Sequence, residues 1–359
     1  MLELHNVSRR VAGETYLADV TLRFARGTFN TVLGQRLAGK SSLLRVMAGL
    51  DPPSGGSVWF DGVEVTDHPA RRRSVAMVYR EPTNYPHFTV QQNLVAPMKR
   101  QGATRVEIGA DVSRIAELLQ LTHLLERKPQ ELSPSDQQRV AIARAIARKP
   151  GLVLLDEPLA VIDPKVRETL MGDLPDLFAH LNAVVIYATS CPAEAIALGN
   201  ELAAISEGRI AQVGPAQDVY RFPRDLASAR ATSDPPLNEL RVVSRDWKTS
   251  PADYDVAPQC RLPLLEDGAW TFGFRAHHLK LGPGSPQALS FGLRVISTEI
   301  SGAESLVHVA FGAEHWTMLM RGIVSLEPDA LIDAHVEAKH AMVFDARDRM
   351  FDGALREAA

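Results

Sequence analysis

Short apolar runs set the rhythm of the N-terminal part of the chain: FNTVL at 29–33, SVAMVY at 74–79, LVLLD at 152–156 and AVVIYAT at 183–189. Each has the length of a buried strand and is followed by a helical or loop stretch. That alternation predicts an α/β unit built on a mostly parallel sheet over residues 1–234. Past FPRDLASARATSDPPLNELRVV the pattern changes. WTFGFR, FGLRVISTEI, SLVHVAF, HWTMLM and DAHVEAKH are strand-like pieces broken by Gly, Pro and acidic turns, which predicts a separate β-rich domain over 235–359. The pair Pro235–Pro236 marks the junction. Neither an internal repeat nor a low-complexity tract interrupts the chain.

Composition narrows the function classes. The 359 residues are 45% hydrophobic and 23% charged with a formal net charge of −4, so the chain is globular, with room for two cores. An acidic balance is the wrong sign for a nucleic-acid footprint, and no nucleic-acid partner is expected. The start MLELHNVSRR lacks a secretory layout, and no apolar run approaches the roughly 18 residues a membrane span needs. The expectation is a cytoplasmic protein that meets a membrane only through a protein partner. Cys191 and Cys260 have neither metal nor redox spacing and read as small apolar side chains.

The candidate chemistry begins at TVLGQRLAGKSSLLRVMAGL, where Gly34, Gly39, Lys40 and Ser41 stand in the spacing G-x-x-x-x-G-K-[ST], with Ser42 beside them. A strand precedes this run and an apolar-periodic helix follows. The glycines let successive backbone N–H groups turn inward around phosphate oxygens, Lys40 adds positive charge, and the Ser41 hydroxyl suits a magnesium site. Farther on, GLVLLDEP ends an apolar strand on Asp156 and Glu157. Beside bound phosphates, Asp156 would be the magnesium-linked carboxylate and Glu157 a general base for an attacking water.

The order of GQRLAGKSS, MVYREPTNYPHFTVQQNL, LSPSDQQRVAIARAIARKPGLVLLDEPLAVIDP and VIYATSCPAEAIALGNELAAISEGRIAQVG resembles the ATP-binding subunits of ABC transporters. The tail, with FGFRAHHLKL and ISGAESLVHVAFG, is similar to the C-terminal domain of sugar and polyol importers of the maltose-transporter type, and GETYLADVTL, LAGKSSLLRVMAGLD and PAEAIALG most resemble the glycerol-importer kind. The resemblance implies a P-loop NTPase nucleotide-binding domain with a helical subdomain, followed by a β-rich, OB-like domain. It implies ATP and Mg2+ as ligands, held between two ATPase subunits arranged head to tail. It also implies two transmembrane permease subunits, which the stretch containing Tyr85, Pro86 and His87 would meet at the inner face of the membrane.

Several positions depart from the family's pattern. Where an aromatic ring usually stacks on adenine stands Val11, with Tyr16 offset from it. The glutamine that senses metal and water is Arg80, whose guanidinium donates hydrogen bonds but accepts none. The switch histidine is Ser190. Asp163 is kept and would serve the subunit interface, although Ala160, Val161 and Ile162 around it are apolar. In LSPSD, Ser133, Pro134, Ser135 and Asp136 replace a segment whose N–H groups would meet the γ-phosphate on the opposite subunit. Pro134 has no N–H, and Asp136 brings negative charge. The same letters suit a self-capped helix start, with Ser133 as N-cap, Pro134 first in the helix and Asp136 completing a capping-box layout. These departures predict an importer subunit with reduced hydrolysis that works beside a non-identical, more complete ATPase partner. A fully active homodimer and a nucleotide-holding regulatory scaffold remain the alternatives.

Overall fold

In the computed structural model, which describes residues 1–246, 248–252, 260–262 and 265–351, the four apolar runs lie side by side in one sheet. The chain divides into two compact units, Met1–Tyr220 and Arg221–Ala359. The first contains ten strands: β1 (Leu2–Val11), β2 (Glu14–Phe24), β3 (Phe29–Leu33), β4 (Gly55–Phe60), β5 (Val63–Glu64), β6 (Val75–Val78), β7 (Leu152–Asp156), β8 (Val184–Thr189), β9 (Glu201–Ser206) and β10 (Arg209–Pro215). Its main sheet has the order β10-β9-β3-β8-β7-β6, parallel from β9 to β6 with β10 antiparallel at the edge. Strands β2, β1, β4 and β5 form a separate antiparallel sheet.

The parallel strands read as mostly apolar runs because both of their faces are covered, with Asn30 and Thr31 of β3 buried and hydrogen-bonded. Along β8, Val184, Ile186 and Ala188 face one core, shared with the antiparallel sheet and helix α1 (Lys40–Ala48). Val185 and Tyr187 alternate to the other side. There they meet a second core to which α2 (Val90–Arg100), α3 (Arg105–Leu118), α4 (Pro134–Ala147) and α5 (Pro164–Ala179) contribute Leu94, Ile115, Ile142 and Leu174. The short helix α6 (Pro192–Leu198) follows β8. Helix α1 therefore lies between two sheets, and the loop that opens it is fixed from both sides.

The second unit is β-rich, as the alternating pattern predicts. One sheet orders Lys248–Pro251, Asn238–Arg245, Gly268–Phe274 and Met342–Phe344, and the other runs from Lys280–Leu281 through Leu331–Val336, Leu289–Ser301 and Glu304–Phe311 to Glu314–Arg321. Aromatic rings fill its core: Phe311 stacks on Trp316 with centroids 4.8 Å apart, and Phe274 on Phe291 at 5.7 Å. The run DAHVEAKH is strand only as far as Val336, and Ala338–His340 closes into a 3-10 turn. The Cys260 side chain lies outside the described residues, and Cys191 is half-buried and free of any disulfide. Among the described residues no helix is long and apolar enough to cross a membrane.

Candidate functional site

The glycine-rich turn between β3 and α1 is built around two positions where a side chain has no room. A Cβ on Gly34 would lie 2.4 Å from the Ile205 carbonyl oxygen. Gly39, at φ 104°, caps α1 and would place a Cβ 2.8 Å from the Tyr16 carbonyl oxygen. The turn is clamped from outside by the β9–β10 hairpin, whose Gly208 N–H donates to the Ala38 carbonyl while the Gly208 carbonyl accepts from Ala18 N–H. Lys40 is buried beneath the loop, its Nζ donating to the carbonyls of Gly34 (2.7 Å) and Gln35 (2.9 Å). These contacts hold the loop open around the free N–H end of α1, an arrangement suited to anions.

The acids at the end of β7 arrive beside this loop. Asp156 Oδ1 accepts from the Ser41 hydroxyl at 3.1 Å. Glu157, held in a left-handed conformation at φ 45°, turns its two oxygens to two cations: Oε1 lies 3.3 Å from Lys40 Nζ and Oε2 3.3 Å from Arg80 Nη1. Burial pushes the Lys40 ammonium below its ordinary value, and the neighbouring carboxylates, Glu157 foremost, oppose it. Burial raises the Asp156 carboxyl, and Glu157 adds to that rise, whereas the Ser41 hydroxyl, Lys40 and Arg80 pull it back. Arg80 is half-exposed and reaches this cluster from the segment after β6.

Together these residues line a cleft of about 630 Å³ with Ser42, Arg36, Leu37, Glu14, Thr15, Tyr16, Glu207 and Gly208. Two expectations change here. Val11 does not line the cleft: it sits exposed at the end of β1, paired with Glu14 across the Ala12–Gly13 turn, and the aromatic side chain in the cleft is Tyr16. The Tyr16 hydroxyl donates to Glu14 Oε2 at 3.1 Å. The capping box at α4 forms only in part. Ser133 Oγ accepts from Asp136 N–H at 3.1 Å and donates to Asp136 Oδ2 at 2.7 Å. Asp is one methylene shorter than the usual Glu, so its carboxylate closes on the hydroxyl and on the buried Arg139 guanidinium. Burial pushes this carboxyl up, but the bonds from Ser133 and Arg139 prevail and hold it below the ordinary carboxylate range.

Pro134 occupies the first helical position and Ser135 follows half-buried. These α4 residues lie outside the cleft, as does Ser190, exposed at the end of β8. Asp163 caps α5, accepting from Lys165 N–H at 3.0 Å. Tyr85 borders a second groove, of about 330 Å³, with Pro97, Arg100 and Arg148; Asn93 holds its backbone, and the Arg144 guanidinium lies 4.6 Å from the centre of its ring. Pro86 and His87 are exposed beside it.

Sequence reading had assigned no role to Arg36, Leu37, Glu207 and Gly208. Arg36 and Leu37 sit at the unspecified positions of the motif, and the Glu207–Gly208 turn is distant in sequence. Leu37 is fully exposed at φ 67°, a conformation that costs a side chain about 1–2 kcal/mol. Leu37→Gly is expected to stabilise the nucleotide-free chain by about 1 kcal/mol, read as a raised urea midpoint at unchanged m. Among the described residues no group of three or more His, Cys, Asp or Glu is placed to hold a metal, so a cation at Ser41 and Asp156 would need oxygens from a ligand to complete its shell.

A profile of the family described as ABC transporter matches residues 17–160. The sn-glycerol-3-phosphate import ATP-binding protein UgpC of Burkholderia pseudomallei (strain 1710b) is 32% identical over 356 residues, covering 96% of this chain and 97% of that protein. The trehalose/maltose import ATP-binding protein MalK of Thermococcus litoralis (strain ATCC 51850 / DSM 5473 / JCM 8560 / NS-C) is 38% identical over 266 residues, 72% of this chain and 70% of its own length. Among solved structures, the ATP-binding cassette MJ0796, a dimer in a post-hydrolysis state with ADP and Pi, superimposes with a TM-score of 0.55 at 26% identity, covering 60% of this chain and 99% of that one.

Proposed function

The chain belongs to the ABC transporter family of ATP-binding proteins, to the sugar and polyol importer kind, and from that premise we propose that it binds ATP and powers import of a carbohydrate or polyol, glycerol-like molecules included, with slowed hydrolysis at its own site. In this reading the phosphate-loop N–H groups, Lys40, Ser41 and Ser42 hold the phosphates, and Tyr16 lies where the base enters. Ser41 and Asp156 would hold Mg2+, which supplies charge neutralisation at the phosphates when bound. The stretch containing Tyr85, Pro86 and His87 would dock on one of the complex's two permeases and bring the chain to the inner face of the membrane. We read the β-rich second unit as an OB-like, transport-associated domain.

The observation that carries slowed hydrolysis is the engagement of both Glu157 oxygens by cations, Lys40 on one and Arg80 on the other. A general base needs a free oxygen within reach of the attacking water. With an amide at position 80, one oxygen would be released toward that water. At α4, Pro134 and the Asp136 carboxylate favour a partner that is a different, more complete ATPase subunit, because the helix end offered to the opposite nucleotide is occupied by its own cap. Arg80→Gln is expected to raise phosphate release at saturating Mg-ATP by about tenfold, near 1.4 kcal/mol of barrier. An unchanged turnover number would remove Arg80 as the restraint, and wild-type turnover already in the range of family members with the glutamine would remove slowed hydrolysis altogether.

A further inference from the structure

We propose that Glu194, buried behind the end of β8, is a positioning residue for the hydrolysis step: through the Thr189 hydroxyl it holds the main chain from which the backbone of Glu157 and the start of the phosphate loop are hung. The inference rests on the reading of the cleft as an ATP site with Glu157 as general base. Glu194 comes from the first turn of α6 and is 6% exposed. Its Oε2 accepts from two hydroxyls, Tyr187 at 2.8 Å and Thr189 at 2.6 Å, both on buried side chains of β8. Residues two apart on a strand share a face, which is why one carboxylate reaches both. Burial first, and then the Glu194 carboxylate, raises the Tyr187 hydroxyl far above its ordinary value, so it stays a neutral donor. A carboxylate this deeply buried is costly unless such bonds satisfy it.

The two bonds lead to different places. Tyr187 belongs to the core beneath the helices, its ring centre 6.0 Å from that of Phe29. Thr189 leads to the cleft. Its hydroxyl also accepts from Cys191 N–H at 3.0 Å, which closes the turn through Ser190, and its carbonyl accepts from Gly34 N–H at 3.3 Å, at the entry of the phosphate loop. One residue earlier, the Ala188 carbonyl accepts from Glu157 N–H at 2.9 Å. Glu157 stands at φ 45°, a conformation that persists only where its surroundings fix it. The phosphate loop has further supports in the Lys40 bonds to the Gly34 and Gln35 carbonyls and in the Gly208 clamp, whereas the main chain of Glu157 adds only a turn bond, its carbonyl accepting from Ala160 N–H at 3.2 Å. Glu157 therefore depends on the end of β8 more than the loop does. Loosening Thr189 is expected to slow hydrolysis more than it weakens ATP binding.

The test removes one hydroxyl at a time from the full chain. Tyr187→Phe and Thr189→Val each take a donor from the same buried oxygen, so both are expected to lower the urea midpoint by a similar amount at unchanged m. Their kinetics are expected to part. Phosphate release at saturating Mg-ATP falls about tenfold in Thr189→Val and stays within about twofold of wild type in Tyr187→Phe, while the Kd for ATP of either variant stays within about threefold. Glu194→Met is expected to lose the same factor as Thr189→Val, and the double variant Glu194→Met/Thr189→Val no more than either alone, because both break one path. Equal turnover losses in Tyr187→Phe and Thr189→Val, losses that multiply in the double variant, or a Kd for ATP raised about tenfold or more in Thr189→Val would overturn the proposal. ATP binding by the wild type without measurable hydrolysis overturns it as well. Each of these results leaves the ATP site standing. Failure of the wild type to bind ATP refutes the ATP-site reading, and this proposal with it.

Discussion

Lys40→Met is expected to weaken ATP binding by two to three orders of magnitude without lowering the stability of the nucleotide-free chain. The two readouts separate because Lys40 does two opposed things. Toward a polyphosphate it is a buried ammonium at the centre of the loop, where a charge pair at about 4 Å is worth about 4 kcal/mol at an intermediate dielectric, a factor near a thousand. Toward the empty fold it is a charge taken out of water, and burial is the leading cause of its lowered pKa. Its bonds to the Gly34 and Gln35 carbonyls and its pair with Glu157 offset that cost. Methionine has similar length and no desolvation penalty, so the fold loses little. Titration of ATP and urea unfolding of the same variant check both halves. A Kd within about tenfold of wild type would mean that the loop does not hold the phosphates in this way.

Arg73→Met is expected to act in the opposite sense, lowering stability by about 3 kcal/mol. Arg73 is buried and makes five hydrogen bonds to main-chain carbonyls: Nε to His68, Nη1 to Val46 and Met47, and Nη2 to Val65 and Thr66. Two of these carbonyls belong to the last turn of α1, where a cation meets the negative end of the helix. Among the described residues no carboxylate hydrogen-bonds to it; burial lowers its pKa, and the fork of carbonyls is what retains it. Bonds from a charged donor contribute roughly 1.5–3 kcal/mol each before the cost of desolvation, and removing the donor leaves several carbonyls unpaired at once. Lysine at this position would recover only part of the loss, since it lacks the planar fork. The measurement is the shift in urea midpoint at constant m, and a shift below about 1 kcal/mol would show that water or main-chain rearrangement replaces the fork.

Arg73 illustrates what was and was not legible beforehand. The strands were legible because a parallel strand covered on both faces is mostly apolar, and FNTVL, LVLLD and AVVIYAT are, apart from the buried polar Asn30, Thr31, Asp156 and Thr189. The phosphate loop was legible because its glycines are required by local geometry. Arg73, by contrast, is one of three consecutive arginines, and nothing in RRR tells which one turns inward. Spacing from the motif points to Val11 as the side chain facing the cleft with Tyr16 offset, whereas Tyr16 lines it, because spacing alone ignores how a hairpin turn distributes side chains across its two strands. The cap of α4 was legible in its N-cap serine and its acid, whereas the pairing of Asp136 with Arg139 depends on a guanidinium that also donates to the Leu119 and Gln120 carbonyls of another segment.

By itself the sequence determined the elements and the chemistry they carry: strand, glycine turn, Lys40 and helix, and a second strand ending in two acids. Those depend on spacing over a few residues, where backbone geometry leaves little choice. Only the tertiary structure decided that Arg80, separated from Glu157 by a long stretch of chain, comes to rest on its free oxygen, and that the Glu207–Gly208 turn closes on the loop from outside. Contacts of that kind are set by how sheets and helices pack against one another, and no local pattern encodes them. They also decide the balance of charge in the cleft.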